Sequence, residues 1–267
     1  MHTGIKLLLT AYLLIAFSVK AAGTEDRQDI ALALAVDVSI SVNEEEKLLQ
    51  RRGYVEAFRS SEVIEAILSG PRGSIAVTYF EWSGGIEPTI VVPWFVIDSE
   101  ETAYAFAELL NKNTVRRLDT TSISGAMLFG QELLNLKRGK VGKLILDISG
   151  DGPNNHGMHV RDARDRLVDD GITINGLPIM VNANERFFGF DLRMLDQYYR
   201  DCVIGGLGAF LVTALSWQEF PHSIRRKLVL EISGRGENPE KAKLRNVRHS
   251  NAELKLAGYE NCATPGR

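Results

Sequence analysis

The apolar positions of this chain fall into two kinds of run. Residues 30–36 (Ile-Ala-Leu-Ala-Leu-Ala-Val) are apolar without interruption, as a strand covered on both faces of a sheet should be. Residues 74–82, 143–149, 172–179 and 209–213 read as strands too. Between them, apolar positions recur at helical spacing over 41–58, 62–68, 98–110, 121–136, 158–169, 192–199 and 217–232. Glu44, Glu45 and Glu46 fill the first turn of the first helix, where the helix dipole favours negative charge. Gly70-Pro71-Arg72-Gly73 is a turn, and Ser83-Gly84-Gly85 folds residues 89–94 back as a hairpin partner. Pro93 has no amide donor, which places that strand at a sheet edge. This order predicts a Rossmann-like, doubly wound α/β fold: a mostly parallel central sheet, one antiparallel edge strand and helices on both faces. Such sheets carry their sites in the loops beyond the carboxyl ends of the strands.

The amino terminus changes the setting of that domain. An apolar run over residues 7–17 follows Lys6, and Val19-Lys20-Ala21 places small residues before a plausible cleavage point. That is the layout of a secretory signal peptide over residues 1–22. The run is shorter than the roughly 20 residues a membrane helix needs, so no span is expected in the mature chain. The domain is expected over residues 29–233, followed by a charged tail over 234–267. Export, to the periplasm or beyond the cell, suits the two cysteines. Cys202 and Cys262 are expected either to form a disulfide that ties the tail to the body or to stay as two thiols. With 45% hydrophobic residues and a formal charge of −3, the chain has neither a disordered composition nor the basic balance of a nucleic-acid binder.

Candidate chemistry gathers in three loops. Asp37-Val38-Ser39-Ile40-Ser41 follows the first strand, and alternate residues there aim one carboxylate and two hydroxyls at one point. Alone, the trio is equally a good helix cap. Leu118-Asp119-Thr120-Thr121-Ser122 and Ser149-Gly150-Asp151-Gly152 reach the same sheet edge. Two carboxylates with neutral hydroxyls form a hard oxygen set, suited to Mg²⁺, Mn²⁺ or Ca²⁺ rather than zinc. Hydroxyls leave the ion's charge uncancelled, so it keeps an appetite for an outside carboxylate. His156 and His159 lack a third nitrogen or sulfur ligand and read as solvated loop residues. Asn154 and Asn155 read as turn formers or ligand contacts, Asp147 as a polar core group or the partner of a base, and Trp82 and Trp94 as packing or partner-binding aromatics. Neither a nucleophile elbow nor a phosphate-binding Walker loop occurs, and no general base stands out. The expectation is a binding protein and not an enzyme. A metal-assisted hydrolase and a purely structural domain are the alternatives.

Asp37-Val38-Ser39-Ile40-Ser41, Thr121 and Asp151, in this strand–helix order, resemble the metal-ion-dependent adhesion site of von Willebrand factor A-type domains. The resemblance covers residues 29–233 and implies metal ligation by Asp37, Ser39, Ser41, Thr121 and Asp151, with Thr120 as rival to Thr121 and Asp119 as decoy. It implies a Mg²⁺-like ion, a protein partner presenting Asp or Glu, and coupling to movement of the last helix. Glu81-Trp82, the segment 149–155 and Cys202-Val203-Ile204-Gly205-Gly206 also resemble a narrower group of exported proteobacterial proteins, a domain of unknown function.

Overall fold

A computed structural model describes residues 27–39, 44–84, 88–112, 121–181, 186–187, 190–234 and 262. The signal-peptide segment, Ser41, Asp119, Thr120 and all of the tail except Gly234 and Cys262 lie outside the described residues.

Five strands form the central sheet: β1 (Gln28–Asp37), β2 (Ile75–Trp82), β3 (Thr89–Ile97), β4 (Val141–Gly150) and β5 (Ile172–Pro178), in the order β3-β2-β1-β4-β5. β1 pairs in parallel with β2 and β4, and β4 with β5, while β2 and β3 are antiparallel. The edge position of β3 matches the reading of Pro93. The register shifts between Val77 and Phe80, opposite that proline, and Thr78 Oγ1 donates to Val92 O at 2.8 Å.

The alternation inside β1 decides how the two helical layers pack. Ile30, Leu32, Leu34 and Val36 face a layer made by α1 (Glu44–Phe58), α2 (Ser61–Leu68), α3 (Glu100–Lys112) and α7 (Phe220–Ser233). Ala31, Ala33 and Ala35 face α4 (Ile123–Asn135) and α5 (Val160–Asp169). Large side chains on one face and methyl groups on the other set the spacing of the layers. After β5 come a small hairpin, β6 (Arg186–Phe187) with β7 (Phe190–Asp191), and a compact turn. That turn is a 3₁₀ segment (Leu192–Met194), α6 (Leu195–Tyr198) and a π-helical turn (Tyr199–Val203).

The expected strand over 209–213 is not a regular strand. The segment runs beside β5 through isolated parallel bridges at Leu211 and Ala214. The Phe210 amide donates to the Asn175 side chain at 3.1 Å, so a side chain occupies a place in the ladder that a backbone carbonyl would take. α7 also begins later than expected, at Phe220 with Pro221 in its first turn, and Trp217 before it donates to Glu46 Oε1 at 3.0 Å.

Two buried ion pairs pin helices to the sheet. Arg51 of α1 pairs with Glu81 of β2, donates to Leu110 O at 2.8 Å and lies over the Tyr79 ring. Lys227 of α7 pairs with Asp147 of β4 at 2.5 Å and with Glu231 one turn on. Asn175 of β5 donates to Glu231 at 2.9 Å. Asp147 is therefore the partner of a base. Trp82 is fully buried and Trp94 packs at the margin of the α4–α5 layer with Lys137 over its ring, so both tryptophans are packing residues.

Cys202 and Cys262 form a disulfide with Cα atoms 5.6 Å apart, and both are buried in the α4–α5 layer. No helix among the described residues is long and apolar enough to cross a membrane.

Candidate metal site

β1 and β4 are neighbours in register, Val36 opposite Ser149, so the residues that follow each strand leave the sheet side by side. Asp37 ends β1 and is fully buried. Its Oδ1 accepts the Ser39 amide at 2.8 Å, a bond that turns the chain back on itself and holds Ser39, also buried, beside it. Its Oδ2 is buried with no hydrogen-bond partner among the described residues. Asp151 lies one residue beyond β4, close enough for its charge to act on Asp37.

Gly150 is what lets these groups meet. A β-carbon there would stand 3.0 Å from Asp37 Oδ2 and 2.8 Å from the Tyr199 hydroxyl. Any side chain at 150 would fill the space onto which both polar atoms face.

Thr121 arrives by a different route. The loop after β4 is clamped to the start of α4 by two asparagines. Asn155 Oδ1 accepts the Thr121 amide at 3.0 Å, and the Asn155 amide donates to Thr121 O at the same distance. Asn154, buried, accepts the Ser124 amide at 3.0 Å, donates its side-chain nitrogen to Met158 O at 3.2 Å and donates its backbone amide to Tyr198 Oη at 3.1 Å. Ser122 caps α4 by accepting the Gly125 amide and donates to His156 O. At Gly157, with φ of +87°, a β-carbon would press on Ser122 Oγ and Ser124 Oγ at 2.9 Å each. The loop thus fixes Thr121, buried, against the segment that follows Asp151.

Electrostatically the site asks for positive charge. Burial, and then the nearby charge of Asp151, push the Asp37 carboxyl well above the usual carboxylate range. Hydrogen bonds from Ser39 and the charge of Lys47 work in the opposite direction. Lys47 was unremarkable in the sequence, three residues into a charged helix start, yet its side chain is fully buried. Among the described residues no three His, Cys, Asp or Glu side chains converge. His159 has other work: its Nδ1 accepts the Arg161 amide at 3.3 Å and caps α5. The unpartnered carboxylate oxygen, the glycine-lined space and the oxygen-only donor set fit a hard divalent cation held by Asp37, Ser39, Thr121 and Asp151.

The sequence profile of a family described as "Protein of unknown function (DUF1194)" matches residues 27–236. The chain belongs to this family. Among proteins of curated function, none matches it. In fold it is similar to proximal thread matrix protein 1 from the mussel byssus, solved with a zinc-occupied MIDAS motif (TM-score 0.53, 16% identity, 77% of this chain and 46% of that one). It is similar to the pilus adhesin SpaC from Lactobacillus rhamnosus GG (TM-score 0.58, 12% identity, 79% and 31%). It is also similar to a von Willebrand factor type A protein from Catenulispora acidiphila (TM-score 0.53, 9% identity, 77% and 43%). At such identities the likeness establishes the fold, a von Willebrand factor A-like domain. The chain spans less than half the length of each of these proteins.

Proposed function

We propose that this chain is an exported, divalent-metal-dependent binding module that captures a carboxylate of a protein partner. The ion, Mg²⁺ or one of similar hardness, is held by Asp37, Ser39, Ser41, Thr121 and Asp151, and it keeps a coordination position for an Asp or Glu of the partner. The observation that carries this reading is the buried Asp37 Oδ2, unpartnered among the described residues and facing the space that Gly150 leaves open. A lone buried carboxylate oxygen is costly unless a proton or cation joins it. Similar folds with a metal-occupied adhesion motif or an adhesin role support the assignment. The buried disulfide and the apolar run near the amino terminus support export.

The reading is of a non-catalytic site. Hydrolysis would need a positioned base beside the ion, and His159, the nearer histidine to α5, is engaged through its Nδ1 in capping that helix. Metal-dependent turnover of phosphate or acyl esters, lost in Asp151→Ala, would replace this reading with a hydrolase.

Calorimetric titration with Mg²⁺ and Mn²⁺ tests the site directly. The wild-type chain is expected to bind one ion per molecule, and Asp37→Ala to bind none at millimolar concentration. Absence of binding to the wild type would sink the metal site. Affinity capture from a cell envelope, with and without chelator, tests the partner, whose binding is expected to be lost on chelation.

A further inference from the structure

The hydroxyl of Tyr199 has no evident structural reason to exist. The ring is fully buried, packed against Gly176 and in the α4–α5 layer, work that a phenylalanine would do equally well. Its oxygen is buried with no hydrogen-bond partner among the described residues, a costly placement unless something compensates it. Its neighbour Tyr198 differs, because that hydroxyl receives the Asn154 amide at 3.1 Å.

The orphan hydroxyl is aimed at the metal site. It lies 2.8 Å from the point where a β-carbon of residue 150 would stand, and the unpartnered Asp37 Oδ2 lies 3.0 Å from that same point. Two orphan polar atoms, one a donor and one an acceptor, thus flank a single spot kept clear by a glycine. The two oxygens are therefore less than about 6 Å apart yet not hydrogen-bonded to each other, a gap that one water bonded to both spans.

We propose that Tyr199 is a positioning residue of the metal site: through one water seated above Gly150, its hydroxyl orients Asp37 Oδ2 toward the ion. This rests on the metal-site reading given above. The π-helical turn that begins at Tyr199 thereby becomes part of the site, although it follows Asp37 by more than half the chain. Outer donors of this kind fix the direction of a ligand's lone pairs, and their removal commonly weakens metal binding by about 10- to 100-fold.

The test is Mn²⁺ titration of wild type, Tyr199→Phe and Gly150→Ala, with thermal melting of each in chelator. The expected result is binding by the wild type, affinity weakened about 10- to 100-fold in Tyr199→Phe, and a chelated melting temperature for that variant no lower than wild type. Equal Mn²⁺ affinity in wild type and Tyr199→Phe would overturn the role of Tyr199 while leaving the metal site standing. A lower melting temperature with equal affinity would make the hydroxyl structural and overturn it too. If Tyr199→Phe fails to fold, Gly150→Ala decides: filling the spot must weaken Mn²⁺ binding, and unchanged affinity rejects the proposal. A wild type that binds no Mn²⁺ removes the metal-site reading and this inference with it.

Discussion

Lys227→Met should destabilise the folded chain by about 3–5 kcal/mol near neutral pH, the range seen when one partner of a buried ion pair is removed. Lys227 is fully buried and, among the described residues, is the single cation paired with Asp147 and Glu231, which are themselves 1% and 3% exposed. Methionine keeps the length and apolar stem of the side chain, so the loss reports charge and not a cavity. What remains is two buried carboxyl groups between α7 and the sheet, with Asn175 donating to one of them. The fold relieves them by taking up protons, so the damage is expected to be smaller at pH 5 than at pH 8. Urea unfolding at both values reads this directly. A loss below about 1 kcal/mol, or one that does not change with pH, would show that the triad carries little of the stability.

The same triad sets a pH dependence in the wild type. Burial, and then the charge of Asp147, push the Glu231 carboxyl up to about 7, against the pull of Lys227 and Asn175. Burial raises Asp147 as well, again opposed by Lys227. A carboxyl with a folded pKa above its unfolded value binds more protons in the folded state. Its contribution is therefore present in full below about 4.5 and is lost as the pH rises through about 7. The change amounts to something on the order of 3 kcal/mol across that window. Glu231→Gln keeps an oxygen for Asn175 and removes the charge, so its stability should be nearly flat from pH 5 to 7. An unchanged slope in the variant would place the titration elsewhere.

Most of the fold was legible because strands buried on two faces leave continuous apolar runs, and because Pro93 marks an edge. The failure at 209–213 is instructive. Its composition is that of a strand, but Asn175 takes the Phe210 amide, and no local pattern reveals that a side chain from another element will enter the ladder. The site divides in the same way. Asp37, Ser39 and Asp151 were legible because they sit at fixed offsets from strand ends, where topology alone brings them together. Asn154 and Asn155 were visible as loop residues, but their clamp on Thr121 and Ser124 depends on a meeting with a segment some thirty residues away. Tyr199 and Lys47 were missed altogether. An aromatic in a short helix reads as core, and a lysine after three glutamates reads as a solvated face; only the packed structure turns both toward Asp37. Lys227 and Glu231 carried a faint signal, an i,i+4 pair on the apolar side of an amphipathic helix, which reads equally as a surface pair.

Removing the disulfide, by Cys202→Ser with Cys262→Ser, is expected to cost about 4 kcal/mol on chain-entropy grounds. The two cysteines are 60 residues apart, so the bond closes a long loop and withdraws many conformations from the unfolded chain. Both sulfurs are buried in the α4–α5 layer, so serine adds a second cost, a polar group in an apolar setting. Reduction of the wild-type chain separates the two, because it opens the loop and leaves sulfur in the core. Urea unfolding of the oxidised and reduced wild type and of the double variant should give three levels, with the reduced wild type between the others. If reduction leaves the unfolding midpoint unchanged, the cross-link contributes nothing through the unfolded state. If the double variant equals the reduced wild type, the core tolerates serine and the whole effect is chain entropy.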